Sequence, residues 1–297
     1  MTESKSFNRT ATVILTVMVV FAMMPILLIV IASFSSESSL IRNGYTYLPE
    51  EWSFDAYYYM VKQGVMIVRS YGVSFLVTFA GTAISVILTT MLAYPMSRKS
   101  FKYRNALAFF VFFTMLFNGG IVPSYIMWTK FFQIKNTIWA LIIPNLLLSA
   151  NNVLMIRSYF MTSIPEALYE AAKIDGAGHT KIFFQITFPL GKPILVTMGL
   201  FSALAYWNDW TNGLYYLSGN DGQKLYSIQN LLNQMITDIQ YLASGKVTGN
   251  IGAEVAKLPT TSIRMAIAFI AMLPLFIIYP FLQKYFAEGI TLGAVKG

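Results

Sequence analysis

An all-α membrane protein with six transmembrane helices is the fold this sequence predicts, on three observations. Its 297 residues are 56% hydrophobic and only 11% charged, with a mean hydropathy of +0.57, whereas a soluble globular domain carries about a quarter of its residues as charges. Apolar runs long enough to cross a hydrocarbon layer of about 30 Å, which takes roughly 20 helical residues, recur at 11–33, 71–96, 106–128, 138–156, 194–217 and 263–283. The basic residues are scattered through the short loops between those runs. One polytopic domain over residues 1–297 accounts for the whole chain, with no internal repeat or low-complexity tract apparent.

The first run follows a basic arm holding Lys5 and Arg9. It is longer than a signal-peptide core and no A-x-A-like site follows, so it reads as an uncleaved span. After the second run come Arg98, Lys99, Lys102 and Arg104. The positive-inside rule places that cluster in the cytoplasm and both chain termini with it, since the opposite orientation would leave only Lys130 and Lys135 in the matching inner loop. Topology therefore explains the net charge of +8, and no nucleic-acid partner is expected. The chain has no cysteine and one histidine, which removes disulfides, cysteine-ligated metals and any histidine cluster. His179 reads as an exposed, non-catalytic side chain.

Three hydrophilic pieces remain, at 34–70, 157–193 and 218–262; the orientation puts the first and third outside and the middle one in the cytoplasm. The first contains TYLPEEWSFDAYYYM, residues 46–60, which reads as an interfacial helix whose Trp52 and Tyr57 to Tyr59 sit at headgroup level. In the middle piece, Ser163-Ile164-Pro165-Glu166 has the spacing of a capping box, with the proline in the first turn. At helical spacing Ile164, Leu168, Ala171 and Asp175 fall on one side and Glu166, Glu170 and Lys173 on the other. Gly176 breaks the helix. A second helical pattern runs from Thr180 through Phe183, Ile186 and Leu190, with Pro189 and Pro193 at the entry to the fifth run. Periodicity alone leaves two readings of this hairpin, an amphipathic connector resting on the membrane or a surface for another protein.

The spacing of Glu170-Ala171-Ala172, Gly176, Ile186 and Pro189 resembles the EAA loop of ABC importer permeases, and Asp175-Gly176-Ala177 is similar to the fuller form in sugar importers. Phe188 departs from the leucine common before that proline, an apolar exchange. Phe117-Asn118-Gly119-Gly120-Ile121-Val122-Pro123, Trp207-Asn208-Asp209-Trp210 and the ending Gln283 to Phe286 and Gly293 to Gly297 resemble the LplC-like branch of the MalG-like carbohydrate-uptake permeases. The resemblance implies the MetI-like fold, a bacterial cell membrane location and uptake of oligosaccharides. It implies that the EAA helix sits in a cleft of a cytoplasmic ATPase: Glu170 makes the polar contact, Ala171 and Ala172 allow close docking, Gly176 sets the turn, and Asp175 caps it beside any ATPase contact. The implied partners are a second permease, by family habit a different chain, two ATPase subunits and an extracellular solute-binding lipoprotein. It also suggests that the tail, 287–297, approaches the ATPase pair.

The sequence agrees on the division of labour. No G-x-x-x-x-G-K-[ST] phosphate loop occurs, so no cofactor is expected in this chain, ATP and Mg being bound by the partner ATPase. Polar side chains that lipid would penalise, Asn118, Asn145, Asn152, Trp207, Asn208, Asp209 and Trp210, are substrate-pathway candidates, because amides, carboxylates and flat aromatic faces bind sugars. Interhelical hydrogen bonds and headgroup anchoring explain the same residues. An ion-driven carrier would need more buried acids than Asp209, and an enzyme would need a motif such as H-E-x-x-H or G-x-S-x-G, neither of which occurs.

Overall fold

The computed structural model describes residues 5–62, 64–243 and 260–294. Among them the regular structure is helical, with a single antiparallel bridge between Ser35 and Trp52. The chain divides into two compact units, Met1–Ile67 with Leu232–Ile277, and Val68–Leu231 with Ile278–Gly297.

In the first unit, α1 (Lys5–Ser33) is a long apolar helix whose side chains from Val13 to Val20 are exposed. The chain then turns through two short helices, α2 (Glu37–Asn43) and α3 (Asp55–Lys62), in place of one interfacial helix. Ser36 caps α2 by accepting the Ser39 N–H. Phe34 stacks on Tyr57 with ring centroids 4.6 Å apart, and the Tyr57 hydroxyl lies 2.7 Å from Ser33 Oγ. Trp52 and Tyr58 are exposed. The long helix α4 (Gly64–Ser97) starts here and runs on into the second unit, and α15 (Ile228–Ala243) and α16 (Thr260–Ala294) lie mostly in the first. Glu37 caps α16 from a distance in sequence: its carboxylate accepts the N–H groups of Thr261 at 2.8 Å and Ser262 at 2.9 Å. A helix N-terminus leaves four N–H groups unpaired and carries partial positive charge, so a carboxylate there satisfies both.

The second unit holds the remainder of α4, then α5 (Arg104–Leu116), α6 (Ile121–Ile126, continued by a π-turn, Met127–Phe131), α7 (Trp139–Ile142), α8 (Ala150–Ser163), α9 (Glu166–Ile174), α10 (His179–Ile182, continued by a π-turn, Phe183–Thr187), α11 (Phe188–Leu190), α12 (Lys192–Asn208), α13 (Thr211–Tyr216) and α14 (Gly219–Gln223). Its main core gathers Met96, Ile156, Phe160, Tyr169, Ile182 and Leu195 from five of these helices. Close packing of α4 on α12 is set by Gly81, where a Cβ would lie 2.6 Å from the Tyr206 ring.

Among the described residues three helices are long and apolar enough to cross a membrane: Phe7–Ser33, Gly64–Ser97 and Thr260–Ile278. Two bent pairs meet the same test, Arg104–Leu116 with Ile121–Phe131 at 113° and His179–Leu190 with Lys192–Asn208 at 78°. The expected fourth run, 138–156, is not a continuous helix. It breaks after Ile142, where Pro144 lacks an N–H and Asn145 takes a left-handed φ of 61°. The carbonyls freed by this break are paired again: Ile142 O accepts the Tyr206 hydroxyl at 2.9 Å and Pro144 O accepts Asn212 Nδ2 at 3.0 Å. Such re-pairing is what non-helical backbone requires wherever water is scarce. The fifth run likewise ends its helix at Asn208 rather than at 217.

Candidate functional site

The loop 157–193 carries the most specific sequence signal, and its geometry starts from Pro165. Helix α8 runs through Ser163, and Ile164 and Pro165 are extended, with ψ of 112° and 137°. An extended residue before the first turn is the ordinary N-cap conformation. The expected capping box does not form. Ser163 is the last residue of α8, and no side chain caps α9. Glu166 turns instead to Arg98, accepting Nη2 at 2.8 Å and Nη1 at 3.5 Å.

That ion pair also corrects the expected faces of α9. Positions Glu166, Tyr169 and Ala172, spaced i, i+3, i+6, point into the unit. Tyr169 is 2% exposed, and the Arg98 guanidinium lies 3.4 Å above its ring centroid. Leu168 and Ala171 are exposed beside Glu170, Lys173 and Ile174, the last at 86%. The inward face is chosen by a long-range charge and an aromatic ring rather than by the aliphatic stripe. Arg98 had been read only as part of a topogenic cluster, and no local spacing connects it to a residue 68 positions away.

The end of α9 follows the sequence closely. Asp175 occupies the C-cap, and Gly176 adopts a φ of +75°, a conformation that costs an L side chain about 1–2 kcal/mol. Gly176 N–H bonds Lys173 O at 3.0 Å and Ala177 N–H bonds Ala172 O at 2.9 Å, the paired bonds of a Schellman motif. Ala177 then packs on the core, and His179 begins α10 with its side chain exposed.

The candidates for a substrate path fall into separate settings. Trp207 and Asn208 end α12, and Asp209 and Trp210 form the turn into α13. Asp209 Oδ1 accepts the Thr211 N–H at 3.1 Å and its hydroxyl at 2.7 Å, which caps α13. Asn208 bonds back to Leu204 O at 2.9 Å, and the Trp210 side chain is exposed. Trp207 is buried against Tyr71 and Phe75, with centroids 6.4 and 5.2 Å away, and its Nε1 has no hydrogen-bond partner among the described residues. Asn145 stands exposed beside Pro144, whose bond to Asn212 joins this break to the 207–213 turn. Asn118 is exposed in the break between α5 and α6, its Oδ1 accepting the Gly120 N–H at 2.9 Å. Asn152 is buried elsewhere, donating to Ser202 Oγ at 3.2 Å and so tying α8 to α12. Sequence reasoning passed over Tyr206 and Asn212, which close the break; the Pro144-Asn145 pair inside an apolar run is the signal that pointed there.

Among the described residues no group of three or more histidine, aspartate or glutamate side chains is placed to hold a metal ion. The chain matches the binding-protein-dependent transport system inner membrane component over residues 1–292. It is 36% identical to the protein LplC of Bacillus subtilis over 274 residues, covering 92% of this chain and 89% of the relative. It is also 36% identical to the polygalacturonan/rhamnogalacturonan transport system permease protein YtcP of the same organism, covering 92% of each. Among solved structures, a chain of a bacterial ABC transporter involved in the import of the acidic polysaccharide alginate superposes with a TM-score of 0.77 at 27% identity, covering 96% of this chain and 99% of that one.

Proposed function

The chain belongs to the family of binding-protein-dependent transport system inner membrane components, a membrane permease subunit and not an enzyme, and from that premise we propose how it works. It carries an oligosaccharide across a bacterial cell membrane and receives its driving force at α9. The observation that carries this reading is the two-sidedness of α9. One face is fixed by Arg98 and the core, while Leu168, Glu170, Ala171 and Ile174 lie uncovered on the other. An exposed aliphatic row with one acid at its centre suits a docking cleft on another protein.

In this reading Glu170 supplies the polar contact to the ATPase, Ala171 keeps the outer face slim enough to approach, Ala172, expected to share that role, packs inward on the core, and Asp175 and Gly176 fix the turn that presents the helix. The partners are a second permease, a different chain by family habit, two ATPase subunits that bind ATP and Mg, and an extracellular lipoprotein that delivers the sugar. Both termini are cytoplasmic. Of the tail expected to approach the ATPase, residues 287–294 complete α16 and 295–297 lie outside the described residues. The 207–213 turn and Asn145 mark the stretch of the path where polar side chains and an exposed tryptophan gather; support for Asn118 is its exposure beside two glycines.

Co-purification of the chain with its neighbouring permease and ATPase in lipid tests the docking face. Glu170→Ala should weaken ATPase retention about tenfold, near 1.4 kcal/mol. Gly176→Pro should abolish it, because proline fits neither a φ of +75° nor the lost N–H bond to Lys173. Retention and ATP hydrolysis at wild-type levels in both variants would remove α9 from the contact.

A further inference from the structure

The last residues of α4 and the inner face of α9 meet in a cluster of directional contacts. Arg98, the residue after α4, is a basic side chain that turns inward while Lys99 and Lys102 are exposed. Its side chain is 5% exposed and holds both carboxylate oxygens of Glu166, and its plane covers the Tyr169 ring at 3.4 Å. The same end of α4 is gripped a second time, by Arg157 of α8, whose Nε donates to Met96 O at 3.0 Å. Beyond Tyr169, the fully buried Thr187 lies with its hydroxyl 3.4 Å from the phenol oxygen.

Aliphatic contacts between helices tolerate sliding, because methyl groups exchange partners at small cost. A planar fork paired with a carboxylate and stacked on a ring does not, since translation or rotation breaks both bonds and the stack together. We propose that Arg98, Glu166 and Tyr169 form a rigid link that delivers the displacement of α9 to the end of α4. These three are positioning residues: Glu166 and Tyr169 lie on the inward face of α9 and Arg98 behind it, and they act through the helix they hold. The proposal rests on the docking reading of α9 above and adds where the motion goes next.

The chain has no cysteine, so a spin-label pair can be placed without background from its own thiols, and any cysteines of the partner chains are replaced beforehand. Lys99→Cys and Lys173→Cys, both exposed, bracket the link. In the assembled transporter, pulsed electron resonance should give a narrow distance distribution that does not move when ATP and Mg are added. Arg98→Lys keeps the charge but loses the fork and the stack. With ATPase still bound, its distribution should broaden and shift on adding ATP. Should that variant fail to assemble, Tyr169→Leu, which leaves the ion pair, is measured in its place with the same expectation. A wild-type distance that changes with ATP overturns the link, as does a variant with wild-type width and no ATP shift, or loss of assembly in both variants. Absence of ATPase from the wild-type preparation would instead overturn the docking reading, and the link with it.

Discussion

The 157–193 loop and the 207–213 turn are both breaks in a helical chain, yet polar side chains serve opposite ends in them. In the loop, Gly176 lets the backbone pair with itself through Lys173 and Ala172, so the side chains of Glu170, Lys173 and Asp175 stay exposed. At the turn, Asp209 caps α13 and Asn212 and Tyr206 pair carbonyls freed by the Pro144 break. There the side chains repair the backbone and few remain for anything else. A polar residue inside an apolar run is therefore first a candidate for backbone repair, and its availability to a ligand depends on what it is already bonded to.

Removing a repair residue should produce the largest effect. Asn212 is buried and its Nδ2 donates to Pro144 O, so Asn212→Leu removes the bond that joins the two segments and leaves that carbonyl only the Leu146 N–H at 2.8 Å. The expected loss is about 1.5 kcal/mol, the upper end for one buried hydrogen bond, seen as a lower midpoint in thermal unfolding of the detergent-solubilised complex. Wild-type stability would show that the broken segment does not depend on this bond, and the contrast between the two regions would fail.

Asp209 sharpens the comparison, because a cap and a sugar ligand lose different things. Asp209→Asn retains a capping oxygen, whereas Asp209→Ala removes it at a cost of about 1 kcal/mol. If the carboxylate serves only α13, uptake follows stability: Asn behaves as wild type and Ala loses both. Impaired uptake in Asp209→Asn at normal stability and normal ATPase retention would place the charge in the sugar path. The smallest change belongs to the loop. Phe188 is partly exposed, with its ring 6.2 Å from that of Phe183, and Phe188→Leu should alter stability by no more than about 0.5 kcal/mol, with ATPase stimulation unchanged.

Much of the loop was legible because its determinants are local. A left-handed glycine, the C-cap before it and the small residues preceding them are fixed by spacing alone, and Gly176 ends α9 as its sequence requires. The rotation of α9 was not legible, since it depends on Arg98 across 68 residues, and periodicity grouped Glu166 with Glu170 and Lys173, from which the ion pair parts it. Apolar runs located α1, α4 and the core of α16, but run length could not separate a straight span from a bent or broken one. At 138–156 the carbonyls freed by Pro144 found partners on Tyr206 and Asn212, and at 117–120 Gly120 adopts a φ of 87°. Hydropathy scores neither event. The same limit applied to Asn152, whose bond to Ser202 is a contact between helices far apart in sequence.

The cap that Glu37 places on α16 has a meaning for biosynthesis. Donor and acceptor are separated by 224 residues, so at ribosomal speeds of about 5–20 residues per second the carboxylate waits roughly 10–45 s for the last helix to arrive. During that interval the first unit lacks its closing contact. A chain stopped before Thr260 never gains it, which leaves a charged, unpaired group as a mark by which an incomplete product differs from a finished one.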